Sequence, residues 1–163
     1  MHSQASEHAG YAGEMTEPLP YEVAYADTDA GGIVYHATYI AMAERSRNHA
    51  MRMIGLPVAE MKARFCVLFL VREIRAVYHR PALVGDALTL SSGIVSATLV
   101  RALWRTTITR DADSICDVEA QLAAFDVASG GPCLLPDDLM DRLGQAPRLP
   151  PARRAPMVKM EPG

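Results

Sequence analysis

The chain has 163 residues, 21% of them charged and 50% apolar, which suits one globular domain and leaves little room for two. A formal net charge of -3 and a sequence pI near 5.9 exclude the basic stripe that nucleic acid demands, so no nucleic-acid partner is expected. The longest apolar run, Cys66 to Val71, is far shorter than the roughly 20 residues that cross a bilayer. The N-terminus has neither the basic start nor the apolar stretch of a secretory signal, and a cytoplasmic location is expected.

Residues 1–19 are polar and aperiodic, closed off by Pro18 and Pro20, and read as a disordered tail ahead of a domain over 20–144. Tyr21 to Ala26 reads as a short strand, broken by the turn-forming run Asp27 to Gly32. From about Thr38 to Ile54, Tyr39, Ala43, Ser46, Ala50 and Ile54 recur at helical spacing, with Glu44, Arg45, Arg47, Asn48 and Arg52 on the other faces. Gly55 fits the left-handed position after that helix, and Pro57 stops it from resuming. The small residues of the buried stripe let a sheet come close, which makes this helix central.

The period then changes to two. Ile74, Ala76 and Tyr78 alternate with Glu73, Arg75 and His79, and Pro81 ends the strand. Leu88, Leu90 and Ile94 mark the next strand after the Gly85-Asp86 turn. Ala102 to Ile108 and Cys116 to Ala124 follow, joined by a hairpin at Arg110 to Asp113. Four strands without helical crossovers imply an antiparallel meander, and the class is α+β. A short helix is expected from Pro136 to Leu143, stopped by Gly144. Residues 145–163 carry Pro147, Pro150, Pro151, Pro156 and Pro162 and read as a Pro-rich tail. Cys66, Cys116 and Cys133 are odd in number and widely spaced, which suits packing or surface thiols rather than disulfides or zinc ligands.

The segment ADTDAGGIVYHATY, residues 26–39, concentrates the functional residue types. As a calcium loop it places Asp27 and Asp29 correctly, but Gly31 replaces an oxygen ligand and Thr38 replaces the bidentate Glu. As a phosphate loop it lacks the glycine spacing and the following Lys. It can be a plain turn, or it can deliver a carboxylate just ahead of a helix N-terminus, whose unpaired N–H groups polarise a carbonyl oxygen. No metal is needed for the second reading.

The pattern D-x-D-x-x-G-x-V-x-H-x-x-Y, here Asp27, Asp29, Gly32, Val34, His36 and Tyr39, resembles the hotdog-fold acyl-CoA thioesterases, in particular the 4-hydroxybenzoyl-CoA thioesterase and Tol-Pal-associated group. Glu44-Arg45, the YHRPA segment from Tyr78, Gly85-Asp86 and the stretch Phe125 to Pro136 extend the likeness over residues 20 to 143. The resemblance implies an antiparallel sheet wrapped around one long central helix. It implies hydrolysis of acyl-CoA, aliphatic or 4-hydroxybenzoyl-like, with coenzyme A as part of the substrate and no separate cofactor. Asp29 is then the catalytic carboxylate, nucleophile or general base, and the backbone N–H near His36 the oxyanion site. His36 is a second catalytic candidate that orients water or substrate, or a structural residue. Gly32, Val34, Tyr35, Tyr39 and Glu44 are the substrate-binding candidates, Glu44 facing the site or pairing with an Arg.

Thr38 stands where the group most often has Asn, and Thr is itself a competent helix cap. His49 and His79 read as packing or surface residues, and G-x-S-x-G is absent. Arg72, Arg75, Arg80, Arg101 and Arg105 are candidates for the CoA phosphates. The resemblance also implies sites formed between subunits, and with them a homodimer or homotetramer and an envelope-complex partner. The rival readings are a non-catalytic acyl-thioester-binding scaffold and a hotdog dehydratase.

Overall fold

The computed structural model describes residues 17–153; the expected N-terminal tail, apart from its last residues, and the end of the Pro-rich segment lie outside them. Strand β1 spans Leu19–Glu22, helix α1 His36–Met53, helix α2 Val58–Phe65, and strands β2 to β5 Val67–Tyr78, Ala87–Ala97, Arg101–Arg110 and Asp113–Asp126. A two-residue β6, Gly131–Pro132, and helix α3, Asp137–Gly144, complete the order.

The sheet is antiparallel throughout its strand pairs, in the order β1-β3-β4-β5-β2, with β6 added to β5. β3, β4 and β5 form the expected meander, and the hairpin between β4 and β5 turns through Asp111 at a φ of 53°. β2 corrects the expectation of four successive neighbours: it pairs with β5, at the far edge from β3. The physical reason is α1, which precedes β2 and occupies the concave side between the two ends of the curled sheet. This is the hotdog architecture.

Even-numbered residues of β4 and β5, Trp104, Thr106, Ile108, Cys116, Val118, Ala120 and Leu122, face inward and are buried. They meet Tyr39, Met42, Ala43, Ser46, Ala50 and Met51 of α1. The Ser46 hydroxyl accepts from Ser92 Oγ at 2.8 Å, Ser92 and Thr106 share a hydrogen bond of 2.6 Å, and Thr106 Oγ1 reaches the Ala43 carbonyl at 3.4 Å. These buried hydroxyls bond to one another and to the helix backbone, so each has a partner in the core and together they stitch helix to sheet. Arg47, placed by the sequence reading on a face other than the buried stripe, is buried as well.

Two further elements depart from the sequence reading. Pro57, read as a stop, is the N-cap of α2, a place where its missing N–H costs nothing. The segment from Gln145 to Arg153, read as tail, lies on the sheet. Ile94 N–H donates to the Pro147 carbonyl at 2.7 Å and Leu149 N–H to the Ile94 carbonyl at 3.0 Å, which covers the part of β3 that β1 does not reach. Arg105 Nη1 then holds the Pro150 carbonyl at 2.9 Å, and Glu119 Oε1 accepts the Ala152 N–H at 2.6 Å. Gly93 is required beneath this strap, because a Cβ there would come within 2.6 Å of the Pro147 oxygen.

Candidate active site

The loop between β1 and α1 begins with a single 3-10 turn, Tyr25–Asp27. Asp27 is spent on the loop itself: its carboxylate accepts from Tyr21 Oη and from the Ala24 N–H, both at 2.9 Å, and its carbonyl accepts the Tyr35 N–H. A tight turn follows, in which Asp29 N–H donates to the Ile33 carbonyl and Gly32 N–H to the Asp29 carbonyl, each at 3.0 Å. Gly32 closes it at a φ of 75°, a conformation that side chains disfavour. The Asp29 carboxylate is exposed, and its Oδ1 accepts the Gly31 N–H at 2.8 Å. It has no cationic partner among the described residues.

The turn is docked rather than free. Ile33 bridges Leu83, and Val34 N–H donates to the Ala82 carbonyl at 2.9 Å. The Ala82 to Asp86 segment is fixed in its turn by Asp86, whose carboxylate takes the Leu83 N–H at 2.8 Å and Arg110 Nη1 at 2.6 Å. The Leu83 N–H, together with Arg110, holds that carboxyl below the ordinary carboxylate range.

Tyr35 is the N-cap of α1, exposed, with its ring 4.3 Å from that of His36. The helix therefore starts two residues before Thr38, which corrects the capping role given to that residue. Thr38 Oγ1 reaches back to the Asp27 carbonyl at 3.3 Å instead. The first-turn N–H groups of His36 and Ala37 have no acceptor among the described residues, and they stand at the positive end of an 18-residue helix. The His36 side chain is exposed, and its carbonyl accepts Tyr78 Oη at 3.1 Å.

Of the remaining candidates, Val34 and Tyr39 are core residues in this chain. Tyr39 Oη accepts the Ala82 N–H at 3.1 Å, and burial pushes its phenol above the ordinary range. Its ring meets Tyr78 edge-on, with centroids 5.7 Å apart. Glu44 is exposed and forms no ion pair among the described residues. The sequence reading missed Tyr78, which ties the helix start to β2; its place at a strand end gave no signal of that contact. The arginines expected to compete for CoA phosphates are partly committed: Arg105 is bound to Asp117, Arg75 to Glu119 and Arg80 to Asp113. Among the described residues no cluster of His, Cys, Asp and Glu could hold a metal ion, and no helix is long and apolar enough to cross a membrane.

A carboxylate in a pinned turn and, seven residues on in the same loop, unclaimed N–H groups at a helix start are the two kinds of group that direct an oxygen nucleophile at a carbonyl and receive its oxygen. Known proteins resemble this chain in sequence and fold. The acyl-CoA thioester hydrolase YbgC of Escherichia coli is 40% identical over 77 residues, 47% of this chain and 57% of that protein. The acyl-CoA thioesterase YbgC of Haemophilus influenzae is 25% identical over 121 residues, 74% of this chain and 89% of that protein. Among solved structures, a probable thioesterase from Bartonella henselae superposes with a TM-score of 0.69 at 26% identity, covering 74% of this chain and 98% of that one. The chain thus spans little more than half the length of its E. coli relative. The model of the thioesterase-like superfamily matches residues 23–143, nearly the whole of the described fold, and the chain belongs to that superfamily.

Proposed function

We propose that this chain hydrolyses acyl-CoA thioesters to free acid and CoA, with Asp29 as the reacting carboxylate and the first N–H groups of α1 as the oxyanion site. The observation that carries this reading is their placement at the two ends of one hydrogen-bonded loop, Asp29 to His36. The thioester carbonyl oxygen is received by the N–H groups of His36 and Ala37. Asp29 either takes a proton from the attacking water or adds to the carbonyl itself, giving an anhydride that water then opens. In both courses the C–S bond breaks, CoA departs as a thiolate that needs no strong acid, and water supplies the oxygen and the proton. Attack, collapse and release balance without a cofactor. In this reading the His36 ring orients water or substrate and Gly32, Tyr35 and Glu44 contact the substrate, which their exposure allows.

The experiment is a panel of aliphatic and hydroxyaromatic acyl-CoA substrates followed by release of free thiol. Turnover of at least one member is expected. Tight binding without thiol release would replace this reading with the non-catalytic scaffold, and water addition to an enoyl thioester with the dehydratase.

The exposed setting of Asp29 and the open edge of the sheet support a homodimer. Among the described residues β2 pairs only with β5, and Leu70 and Val71 on it are 45% and 50% exposed. Unpaired apolar edges invite a further strand, and Ile33, Tyr35 and Leu83 near the candidate loop are exposed apolar residues that a second copy could cover. Sedimentation is expected to show a dimer, or a tetramer of two dimers, and Val71→Lys to yield monomer with lost activity. A monomeric, active wild type would exclude sites shared between copies. A cytoplasmic setting fits an acyl-CoA substrate, and an envelope-complex partner rests on the family resemblance alone.

A further inference from the structure

Tyr78 is the last residue of β2, and its hydroxyl crosses to the start of α1, where it donates to the His36 carbonyl at 3.1 Å. Its backbone is firmly held. Tyr78 stands opposite Cys116 as the last rung of the β2–β5 ladder, and the next N–H, of His79, donates to the Ile115 carbonyl at 2.8 Å. The ring packs edge-on against Tyr39 of α1, with centroids 5.7 Å apart. Burial, with Cys116 close by, pushes the phenol above the ordinary range, so the hydroxyl stays protonated and donates at neutral pH. Holding the helix start in place does not need that hydroxyl. Tyr39 Oη already accepts the Ala82 N–H at 3.1 Å, and the Ala82 carbonyl takes the Val34 N–H at 2.9 Å, so the chain on both sides of His36 is moored to the segment after β2. What the Tyr78 hydroxyl adds is a hydrogen bond to the His36 carbonyl from outside the helix.

The His36 carbonyl and the Ala37 N–H are the two ends of one peptide unit. The C–N bond between them has partial double-bond character, so a hydrogen bond donated to the oxygen draws electron density from the nitrogen and makes the N–H a stronger donor. The unit is also planar, so fixing its oxygen fixes the direction of its N–H. That N–H has no acceptor among the described residues, and it is one of the two groups assigned to the thioester oxygen. A line of polarisation thus runs from the phenol, through one amide, to the open donor. Negative charge gathers on the thioester oxygen only as the nucleophile adds, so a stronger donor there stabilises the transition state more than the bound substrate.

We infer that Tyr78 is a positioning residue for thioester hydrolysis, its hydroxyl aligning and polarising, through the His36–Ala37 peptide, the N–H that receives the oxyanion. This rests on the thioesterase reading. Tyr78→Phe keeps the ring against Tyr39 and is expected to melt as the wild type does, to lose about three- to tenfold in kcat, the scale of one hydrogen bond, and to leave KM nearly unchanged. A trifluoromethyl ketone analogue of the best acyl-CoA, whose adduct carries an oxyanion, should bind the Phe variant more weakly by the same factor. A thioether analogue, which has no carbonyl oxygen, should bind both proteins alike. A ring-fluorinated tyrosine in place of Tyr78 has the more acidic hydroxyl, and it should raise kcat at a mildly acidic pH where both phenols are protonated; this comparison decides the matter even if the Phe variant does not fold. Unchanged kcat in the Phe variant, equal losses for the two analogues, or a kcat indifferent to fluorination overturns the inference and leaves the thioesterase reading standing. Absence of hydrolysis by the wild type with every thioester would remove that reading itself, and this inference with it.

Discussion

Asp29→Asn is expected to keep its fold and assembly and to lose on the order of 10²-fold or more in kcat, the scale of a general base. The structure makes this substitution a clean one. Asn retains an Oδ1 that can accept the Gly31 N–H, now 2.8 Å from the Asp29 oxygen, so the turn that closes at Gly32 should persist. What disappears is the charge and the lone pair that would take a proton or attack the carbonyl. The helix N–H groups of His36 and Ala37 are untouched, so the KM for acyl-CoA should change much less than kcat. Thiol release together with an unchanged thermal melt is the combination to look for. Near wild-type turnover in the Asn variant would transfer the catalytic role away from Asp29 and leave the loop as a structural turn.

The largest effect on stability is expected at Trp104. It stands on the inward face of β4, 1% exposed, among Ala50, Ala102, Ala120 and Leu122, small neighbours whose combined space it fills. Trp104→Ala should cost about 3–5 kcal/mol, the range for emptying a large aromatic site in a core. Trp104→Phe should cost far less than its lost area suggests. Its Nε1 donor is buried without a partner among the described residues, a state worth about 1–3 kcal/mol of penalty, and Phe removes the donor. Chemical denaturation of the three proteins checks both figures. If Phe destabilised as much as Ala, the indole N–H would have to be satisfied in solution.

Much of this fold is legible in the sequence because each element keeps its own period. α1 announces itself through Tyr39, Ala43, Ser46 and Ala50, and the inner face of β5 through Cys116, Val118, Ala120 and Leu122. The pairing of β2 is not legible from periodicity, which fixes the faces of a strand and says nothing of its neighbours. The long link from His79 to Asp86, beside the tight turns that flank β4, is the one cue that β2 and β3 do not form a hairpin. The candidate loop is legible because its residues serve a local turn. Tyr78 and Arg47 are not, since what matters about them is made by distant parts of the chain. Arg47 is charged, and a charge at that spacing ordinarily faces water. The strap from Gln145 to Arg153 was hidden for another reason. Proline removes donors but leaves carbonyls, and it is the carbonyls of Pro147 and Pro150 that are gripped by Ile94 and Arg105.

That strap has a bearing on how the protein is born. During synthesis β3 leaves the ribosome well before the residues that cover its free edge, and β4, β5 and α3 all emerge in between. Until Arg148 and its neighbours arrive, the nascent sheet offers a bare backbone edge beside Gly93 and Ile94, a surface suited to mispairing with other nascent chains. Closing this contact is a late, long-range event, so the seal on the sheet forms only after β4, β5 and α3 have emerged.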